Sequence, residues 1–294
     1  MNSSSSLSKK DRREQAREHA RELREAEAKK RQRRRWFVQG GVIVGALAVA
    51  VVVLLVVTNL ARPEGPGPRN MASDGILFDT TAGAAMTPVK TDALASSATP
   101  VPTPQEETGP VSIVVYLDYQ CPFCAQFEET NGKQIVQWVA GGIATLEVHP
   151  VALLDQYSLG SRYSSRAANA VACVADSEPD EFYLASTALF ASQPEEGTNG
   201  LTNDEIVKVV ESAGVTDPAV AQCIRDESFR GWVSAATERT RSPLPNSDLP
   251  ALTSTPTVLV NGQQYTGSQG DSAAFLKFVG AIFDAANPQE TPEG

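Results

Sequence analysis

Hydrophobic and polar positions divide the chain into regions of different character. Residues 36–61 carry no charged side chain over 26 positions. A helix of that length, at about 1.5 Å per residue, spans the roughly 30 Å hydrocarbon core of a bilayer, so we predict one transmembrane helix there. A cleavable signal peptide is the alternative, but the apolar segment is too long for one and a charged segment of 35 residues precedes it.

An α/β domain is predicted over residues 111–286. Residues 111–117 are a nearly continuous apolar run rich in β-branched side chains, which is typical of a buried strand. We expect a helix after it that ends at two glycines after residue 140, and then a second strand at residues 144–148. Four further helices are expected within residues 161–241, at residues 166–176, 182–192, 202–213 and 218–240.

Strand character returns near the end of the predicted domain. Residues 257–260, the Asn-Gly dipeptide that follows them and residues 263–266 are typical of a β-hairpin. Apolar residues at helical spacing then predict a helix at residues 272–285 that completes the domain. Residues 287–294 remain as a C-terminal tail.

The segment between the apolar stretch and the domain, residues 62–110, contains eight of the nineteen prolines together with many Ser, Thr and Ala residues. Such a composition buries too little apolar surface to become ordered by itself, so we predict an extracytoplasmic tether. Within it, residues 75–78 are a short apolar island that can add an edge strand to the domain.

Charge is distributed unevenly along the chain. Residues 1–35 hold 13 of the 25 Lys and Arg residues and 6 of the 35 acidic ones, whereas the other 259 residues carry 12 basic and 29 acidic side chains. The positive-inside rule places this first segment in the cytoplasm, as a charged helix whose last turn contacts membrane lipid. The domain is then extracytoplasmic, and its acidic surface without clustered Lys or Arg argues against nucleic-acid binding.

The motif Cys121-Pro122-Phe123-Cys124 lies between the first predicted strand and its helix. Cys121 is therefore expected at the helix N-terminus, where unpaired amides and the helix dipole favour a thiolate. Cys124, one turn later, is placed to resolve a mixed disulfide formed on Cys121. A zinc half-site and an inert disulfide are the alternatives, but the sequence has no second CxxC or HxxxH, so we predict redox chemistry and no metal.

Two motifs together resemble the DsbA-like family of thioredoxin-fold thiol-disulfide oxidoreductases: LDYQCPFC at residues 117–124 and STPTVLVNG at residues 254–262. The resemblance covers about residues 111–286 and implies a thioredoxin fold without an organic cofactor. In that family a cis-proline faces the CxxC motif, and its position corresponds to Pro256. The preceding Thr255 would then offer its backbone to the substrate, whereas an ordinary proline at a strand entry is the alternative.

The resemblance also implies that residues 161–241 are a helical domain inserted into the thioredoxin fold. Cys173 and Cys223 both fall within this insertion. An even number of cysteines in an extracytoplasmic protein invites pairing, so we expect a structural disulfide between them. A second catalytic pair is the less favoured interpretation, because neither cysteine belongs to a CxxC motif.

The sequence departs from the family pattern at two positions. Val115 stands where many thioredoxin-fold enzymes have a buried acid that handles the proton of the second cysteine, and Phe123 stands where the strongest oxidants have His. Both departures leave the redox potential open. Pro122 and Phe123, the two residues between the cysteines, are predicted to tune that potential. Asp118 is close enough to replace the missing proton acceptor, but we expect it to be a surface cap or turn residue before the helix.

These observations predict an oxidase that introduces disulfides into exported cysteine-containing proteins by exchange through Cys121. By resemblance, a membrane oxidase then accepts the electrons. An extracytoplasmic disulfide reductase or isomerase is the alternative with the same chemistry. A non-enzymatic binding module on a thioredoxin fold is an alternative of another class, and the presence of both cysteines beside Pro256 argues against it.

Overall fold

A mixed β-sheet with helices on its faces forms the folded part of the chain. The computed structural model describes Lys29 and residues 65–80, 85–106 and 108–288. Within these residues the strands are β1 (Ile76–Thr80), β2 (Met86–Pro88), β3 (Val111–Leu117), β4 (Ala144–Pro150), β5 (Thr257–Val260) and β6 (Gln263–Gln264). The α-helices are α1 (Pro122–Ala140), α2 (Tyr163–Ser177), α3 (Phe182–Ala191), α4 (Asn203–Ser212), α5 (Pro218–Asp226), α6 (Arg230–Arg239) and α7 (Ser272–Ala286).

The centre of the sheet is the predicted strand–helix–strand unit. β3 and β4 are parallel, with Val111 opposite Ala144, and α1 connects them. The helix ends at Gly141, whose N–H donates to the carbonyl oxygen of Gln137. Gly142 follows with a φ of 69°, a conformation that glycine adopts without strain. The prediction for residues 111–148 is confirmed.

Successive side chains of β3 lie on opposite faces of the sheet and pack into two separate hydrophobic cores. Ile113, Val115 and Leu117 belong to the main core, which also contains both cysteines of the CxxC motif. Val114 and Tyr116 belong to a smaller core on the opposite side of the sheet. Val115, the position where many thioredoxin-fold enzymes have a buried acid, therefore lies on the face of the sheet that carries the CxxC motif.

The predicted C-terminal hairpin is confirmed, with a shorter second strand. β5 pairs antiparallel with β3 and with β6. The turn uses positive φ angles at Asn261 (43°) and Gly262 (78°), which suits the Asn-Gly dipeptide. A side chain at Gly262 would also lie 2.2 Å from the carbonyl oxygen of Asn246, so glycine is required there. The final helix α7 follows as predicted.

Two strands before residue 111 extend the sheet and correct the predicted domain boundary. β1 pairs antiparallel with β4, and β2 pairs with β1 at the edge of the sheet. The strand expected at residues 75–78 is present as β1, with Ile76 and Phe78 0% and 1% exposed, but it is not the edge strand, because β2 lies outside it. The predicted tether over residues 62–110 is wrong for β1 and β2, which belong to the sheet. The partner of β1 is β4, which lies far along the chain, so the local composition of residues 62–110 does not show that this segment is ordered.

Helices α2 to α6 form the helical insertion between β4 and β5. The segment at residues 218–240, predicted as one helix, is two helices, and this prediction is wrong. Glu227 separates them with a left-handed backbone (φ 49°, ψ 48°), and its carboxylate lies 3.8 Å from both Arg162 and Arg230. The left-handed residue ends the first of these helices, which the apolar periodicity does not show.

Several predictions concern residues outside the described part of the chain. These are the charged segment at residues 1–35, apart from Lys29, the apolar segment at residues 36–61 and most of the tail at residues 287–294. Among the described helices, none combines the length and apolar character that crossing a membrane requires. The transmembrane helix and the topology stay predictions.

Candidate active site

The CxxC motif itself starts α1. Cys121 is the N-cap residue with an extended backbone (φ −79°, ψ 117°), and Pro122 is the first helical residue. A proline at this position has a suitable φ and lacks an N–H that would otherwise remain unpaired. The Cys121 thiol therefore lies at the positive end of the helix dipole, where a negative charge is stabilised.

The surroundings of Cys121 favour its thiolate. The residue is 5% exposed, and in the thiol form Sγ donates to the carbonyl oxygen of Thr255 at 3.1 Å. A hydrogen bond from the Cys124 thiol is the largest cause that lowers the pKa of Cys121 to about 6. Hydrogen bonds from the Thr255 side chain and from the backbone N–H groups of Phe123 and Cys124 act in the same direction, against the effect of burial. Cys121 is thus largely ionised at neutral pH.

Cys124 has the opposite character. It is 2% exposed, and its Sγ accepts a hydrogen bond from the backbone N–H of Asp118 at 3.5 Å. Burial raises the pKa of Cys124 well above its ordinary value, and the hydrogen bond with Cys121 raises it further. The motif therefore pairs one sulfur that ionises readily with one that retains its proton.

The structure brings the second motif against the first. The peptide bond between Thr255 and Pro256 is cis, and the pair directly precedes β5, which lies beside β3 in the sheet. The Thr255 carbonyl contacts Cys121, while the buried Pro256 lines a small cavity together with Cys124. Phe123 is 62% exposed and lies on the surface beside this arrangement. All positions that the resemblance marks as active-site residues therefore meet at one place.

Asp118 is not a surface residue, which corrects the expectation. It is 0% exposed, and its two carboxylate oxygens accept backbone N–H groups of Gln120 and Leu154, each at 2.9 Å. The bond to Gln120 is the expected turn contact. Burial is the largest cause that raises the pKa of Asp118 to about 6, against the hydrogen bonds that lower it. Asp118 thus orients the loop before Cys121 from inside the protein.

The helical insertion also holds this loop, through contacts that the sequence did not indicate. The side-chain amide of Gln193 donates to the carbonyl oxygens of Tyr119 (2.9 Å) and Cys121 (3.0 Å). The Tyr119 hydroxyl lies 2.8 Å from the hydroxyl of Ser186 on α3. These partners are far from the motif in sequence and have no spacing pattern of their own, so only the fold reveals them.

Cys173 on α2 and Cys223 on α5 form a disulfide with Cα atoms 5.9 Å apart. Cys121 and Cys124 are free thiols, so the structure shows the reduced state of the CxxC motif. Within the described residues, no group of three or more His, Cys, Asp or Glu residues is arranged to hold a metal ion. The lowered pKa of Cys121 and the raised pKa of Cys124 suit thiol chemistry at the CxxC motif.

Comparison with known proteins assigns the family. A model of the Thioredoxin_4 family, described as thioredoxin, matches residues 106–280, which is more than half of the chain. The chain belongs to this thioredoxin family. The matched residues include the CxxC motif, the helical insertion and the cis-proline, so the family model and the site geometry concern the same part of the protein.

Solved structures of the thioredoxin fold agree with this assignment. The reduced disulfide bond oxidoreductase DsbG of Mycobacterium tuberculosis is 25% identical with a TM-score of 0.52, over 73% of this chain and 93% of that one. Oxidised DsbA of the same organism is 27% identical with a TM-score of 0.51, over 74% and 100% of the two chains. With the family and the free cysteine pair, these likenesses show that the chain is a thiol-disulfide oxidoreductase.

A further relative is the serine/threonine-protein kinase PknE of Mycobacterium tuberculosis. It is 29% identical over 126 residues, which are 42% of this chain and 22% of the kinase. This thioredoxin-family chain thus spans about a fifth of the kinase that it matches. The similarity therefore concerns one part of PknE and implies no kinase activity for the present chain.

Proposed function

We propose that this thiol-disulfide oxidoreductase is an oxidase that introduces disulfides into exported cysteine-containing proteins through Cys121. The observation that carries the proposal is that the pKa of the Cys121 thiol is lowered while that of the Cys124 thiol is raised. A stabilised Cys121 thiolate exists only in the reduced enzyme. It therefore favours reduction of the enzyme and oxidation of the substrate.

The exchange proceeds in two steps. A substrate thiolate attacks Sγ of Cys121, the Cys121–Cys124 bond breaks, and the Cys124 sulfur leaves with the bonding electrons and takes up a proton. The second substrate thiolate then attacks the substrate sulfur of the mixed disulfide, and Cys121 leaves as a thiolate. Two electrons have passed to the enzyme. A disulfide of a membrane oxidase, the partner proposed by resemblance, takes them up again.

Thr255 and Pro256 are proposed to position the substrate. The carbonyl oxygen of Thr255 lies 3.1 Å from Sγ of Cys121, so a peptide that pairs with this backbone presents its own cysteine to that sulfur. Phe123 offers an exposed aromatic ring next to the reacting sulfur. This ring supplies apolar contact to unfolded segments of many sequences, as a general oxidase needs.

The domain is proposed to be extracytoplasmic and anchored by a membrane helix at residues 36–61. The charge distribution supports this topology, and a disulfide between Cys173 and Cys223 suits an oxidising compartment. Protease added to intact cells stripped of their wall is expected to remove residues 111–286. Protection of these residues until the cells are lysed would reverse the topology.

The reduction potential of the domain tests the direction of the reaction. An oxidase is expected to lie nearer the DsbA value of about −120 mV than the thioredoxin value of about −270 mV. A value near that of thioredoxin would assign a reductase instead. The same preparation is assayed for oxidation of a reduced model protein, with Cys121→Ser alongside, because a binding module would show no thiol-dependent turnover.

A further inference from the structure

A small cavity is lined both by Cys124 and by Glu128, one turn further along α1. The cavity has a volume of about 20 Å³, and Cys124, Glu128 and Pro256 are among the residues that line it. A space of this size accommodates about one water molecule. Cys124 and Glu128 are four residues apart on α1, so their side chains lie on the same face of the helix.

Glu128 also faces the outside of the protein. An open groove of about 830 Å³ runs between α1 and α3, and Glu128, Tyr183 and Phe190 line both this groove and the small cavity. Among these three residues, Glu128 carries a carboxylate, which can accept a proton near neutral pH. It therefore stands between the enclosed Cys124 thiol and solvent.

The carboxylate of Glu128 is held in place. The hydroxyl groups of Tyr183 and Thr187 on α3 both donate to its Oε1 atom, at 2.6 and 3.1 Å. Both of these bonds use the same oxygen, so Oε2 remains for proton exchange. A side chain at Gly132 would lie 2.6 Å from Oε1 and 2.8 Å from the Tyr183 hydroxyl. A glycine inside a helix is unfavourable compared with alanine, and here it makes room for this contact.

The other buried acid near the motif is less suited to this role. Both carboxylate oxygens of Asp118 accept backbone N–H groups, from Gln120 and from Leu154. Asp118 contacts Cys124 through its backbone N–H. Val115, at the position where related enzymes have an acid, lines the same small cavity with an apolar side chain.

We propose that Glu128 exchanges the proton of Cys124 through the small cavity and passes it to solvent in the groove between α1 and α3. The proposal rests on the proposed thiol exchange through Cys121. When the substrate attacks Cys121, Glu128 supplies the proton that the departing Cys124 sulfur takes up. When the enzyme is reoxidised, the Cys124 thiol gives its proton to Glu128, and its sulfur attacks Sγ of Cys121.

The titration of Glu128 depends on its neighbours. The titratable or charged groups around it are Cys124, Glu129 and Lys133 on its own helix, Tyr183 on α3 and Tyr119 in the loop before α1. Burial raises the pKa of Glu128 above its ordinary value, and the hydrogen bonds from Tyr183 and Thr187 lower it in part. A raised value brings the carboxylate closer to the pKa of a thiol, which favours reversible proton transfer.

The test isolates the step in which Cys124 loses its proton. Reduced protein is mixed with excess oxidised glutathione, so that the Cys121 thiolate forms a mixed disulfide and releases glutathione thiolate. Cys124 then attacks Sγ of Cys121 and displaces a second glutathione thiolate. Samples quenched with acid, alkylated and weighed by mass spectrometry give the rate of this second step at each pH.

In the wild type we expect this rate to rise as Glu128 ionises and then to stay level through neutral pH. Glu128→Gln keeps an oxygen that accepts from Tyr183 and Thr187, but it cannot take a proton. We expect it to slow the step about a hundredfold at neutral pH and to remove the level region, so that the rate increases tenfold for each pH unit. Glu129→Gln, an exposed neighbour that lines only the outer groove, is the matched control and keeps the wild-type profile.

Tyr183→Phe provides a second variant. It removes a hydrogen bond that lowers the pKa of Glu128, so the level region is expected to begin at higher pH. A wild-type profile in Glu128→Gln, or a loss of the level region in Asp118→Asn instead, would overturn the assignment while the exchange through Cys121 stands. Failure of the wild type to form the mixed disulfide at all would instead refute the proposed function.

Discussion

The two cysteine pairs of this protein have different chemistry, although each pair contains a deeply buried cysteine. Cys121 is 5% exposed and Cys173 is 1% exposed. Cys121 lies at the N-terminus of α1, where hydrogen bonds lower its pKa to about 6. Cys173 lies inside α2, between the fully buried Ala172 and Val174, and is bonded to Cys223. Exposure alone therefore does not decide the role of a cysteine, whereas its position on a helix and its donors do.

The two pairs also differ in what they connect. Cys121 and Cys124 lie within one turn of one helix, so a bond between them constrains the unfolded chain little. Cys173 and Cys223 are 50 residues apart and join two helices of the insertion. The first pair is therefore suited to opening and closing during a reaction, and the second to stabilising the fold.

The largest expected effect separates the pairs by activity. Cys121→Ser is expected to lower thiol oxidation of a reduced model protein to the uncatalysed rate, because a serine hydroxyl does not ionise near neutral pH. The measurement is the loss of free thiols with time. A double variant with Cys173→Ala and Cys223→Ala is expected to keep the rate per folded molecule. If the double variant lost activity and Cys121→Ser kept it, the roles assigned to the two pairs would be exchanged.

The second effect separates the pairs by stability. In the chain-entropy treatment, removal of a bridge across 50 residues lowers the free energy of unfolding by about 4 kcal/mol. The double variant Cys173→Ala and Cys223→Ala is therefore expected to unfold at much lower denaturant concentration than the wild type. A difference below about 1 kcal/mol, measured by denaturant titration, would show that the insertion is stabilised by packing alone.

The third effect concerns pH and applies to the Cys121 pair alone. Below its pKa of about 6, reduction takes up two protons with two electrons, and the potential falls by about 59 mV per pH unit. Above that pH the reduced form keeps Cys121 ionised and takes up one proton, so the slope is about 30 mV per pH unit. The lowered pKa thus stabilises the reduced form from about pH 6 upward.

Glutathione equilibration at a series of pH values measures this change of slope. An ordinary thiol would place the change near its usual pKa, well above neutral pH. Asp118→Asn is the control, because burial raises the pKa of that carboxyl to about 6 as well. If the change of slope disappeared in this variant, Asp118 rather than Cys121 would be the group that titrates.

The smallest effect is expected at the exposed position of the motif. Phe123→His places an imidazole near Cys121 that can stabilise its thiolate, which raises the reduction potential. Because Phe123 is 62% exposed, we expect a shift on the order of 30 mV, equivalent to about 1.4 kcal/mol. An unchanged or more negative potential, with the second disulfide intact, would show that position 123 does not tune this site.

Local sequence was sufficient wherever a structural feature depends on neighbours in the chain. The apolar run of β3, the proline inside the CxxC motif and the Asn-Gly turn after β5 predicted their elements correctly. The two motifs of the active site could also be assigned from sequence, because each keeps its residues within a few positions. The helix N-terminus at Cys121 follows from the motif itself.

Tertiary structure decided the features that need partners from distant parts of the chain. The sequence did not show that β1 pairs with β4, because the residues of one strand do not indicate which strand lies beside it. It did not place Asp118 inside the protein, where the N–H of Leu154 binds its carboxylate. It could not indicate Glu128, whose position depends on Tyr183 from the insertion and on the space beside Gly132. A cysteine pair can be read from its spacing, but burial and hydrogen bonds formed across the fold set the pKa values of the groups around it.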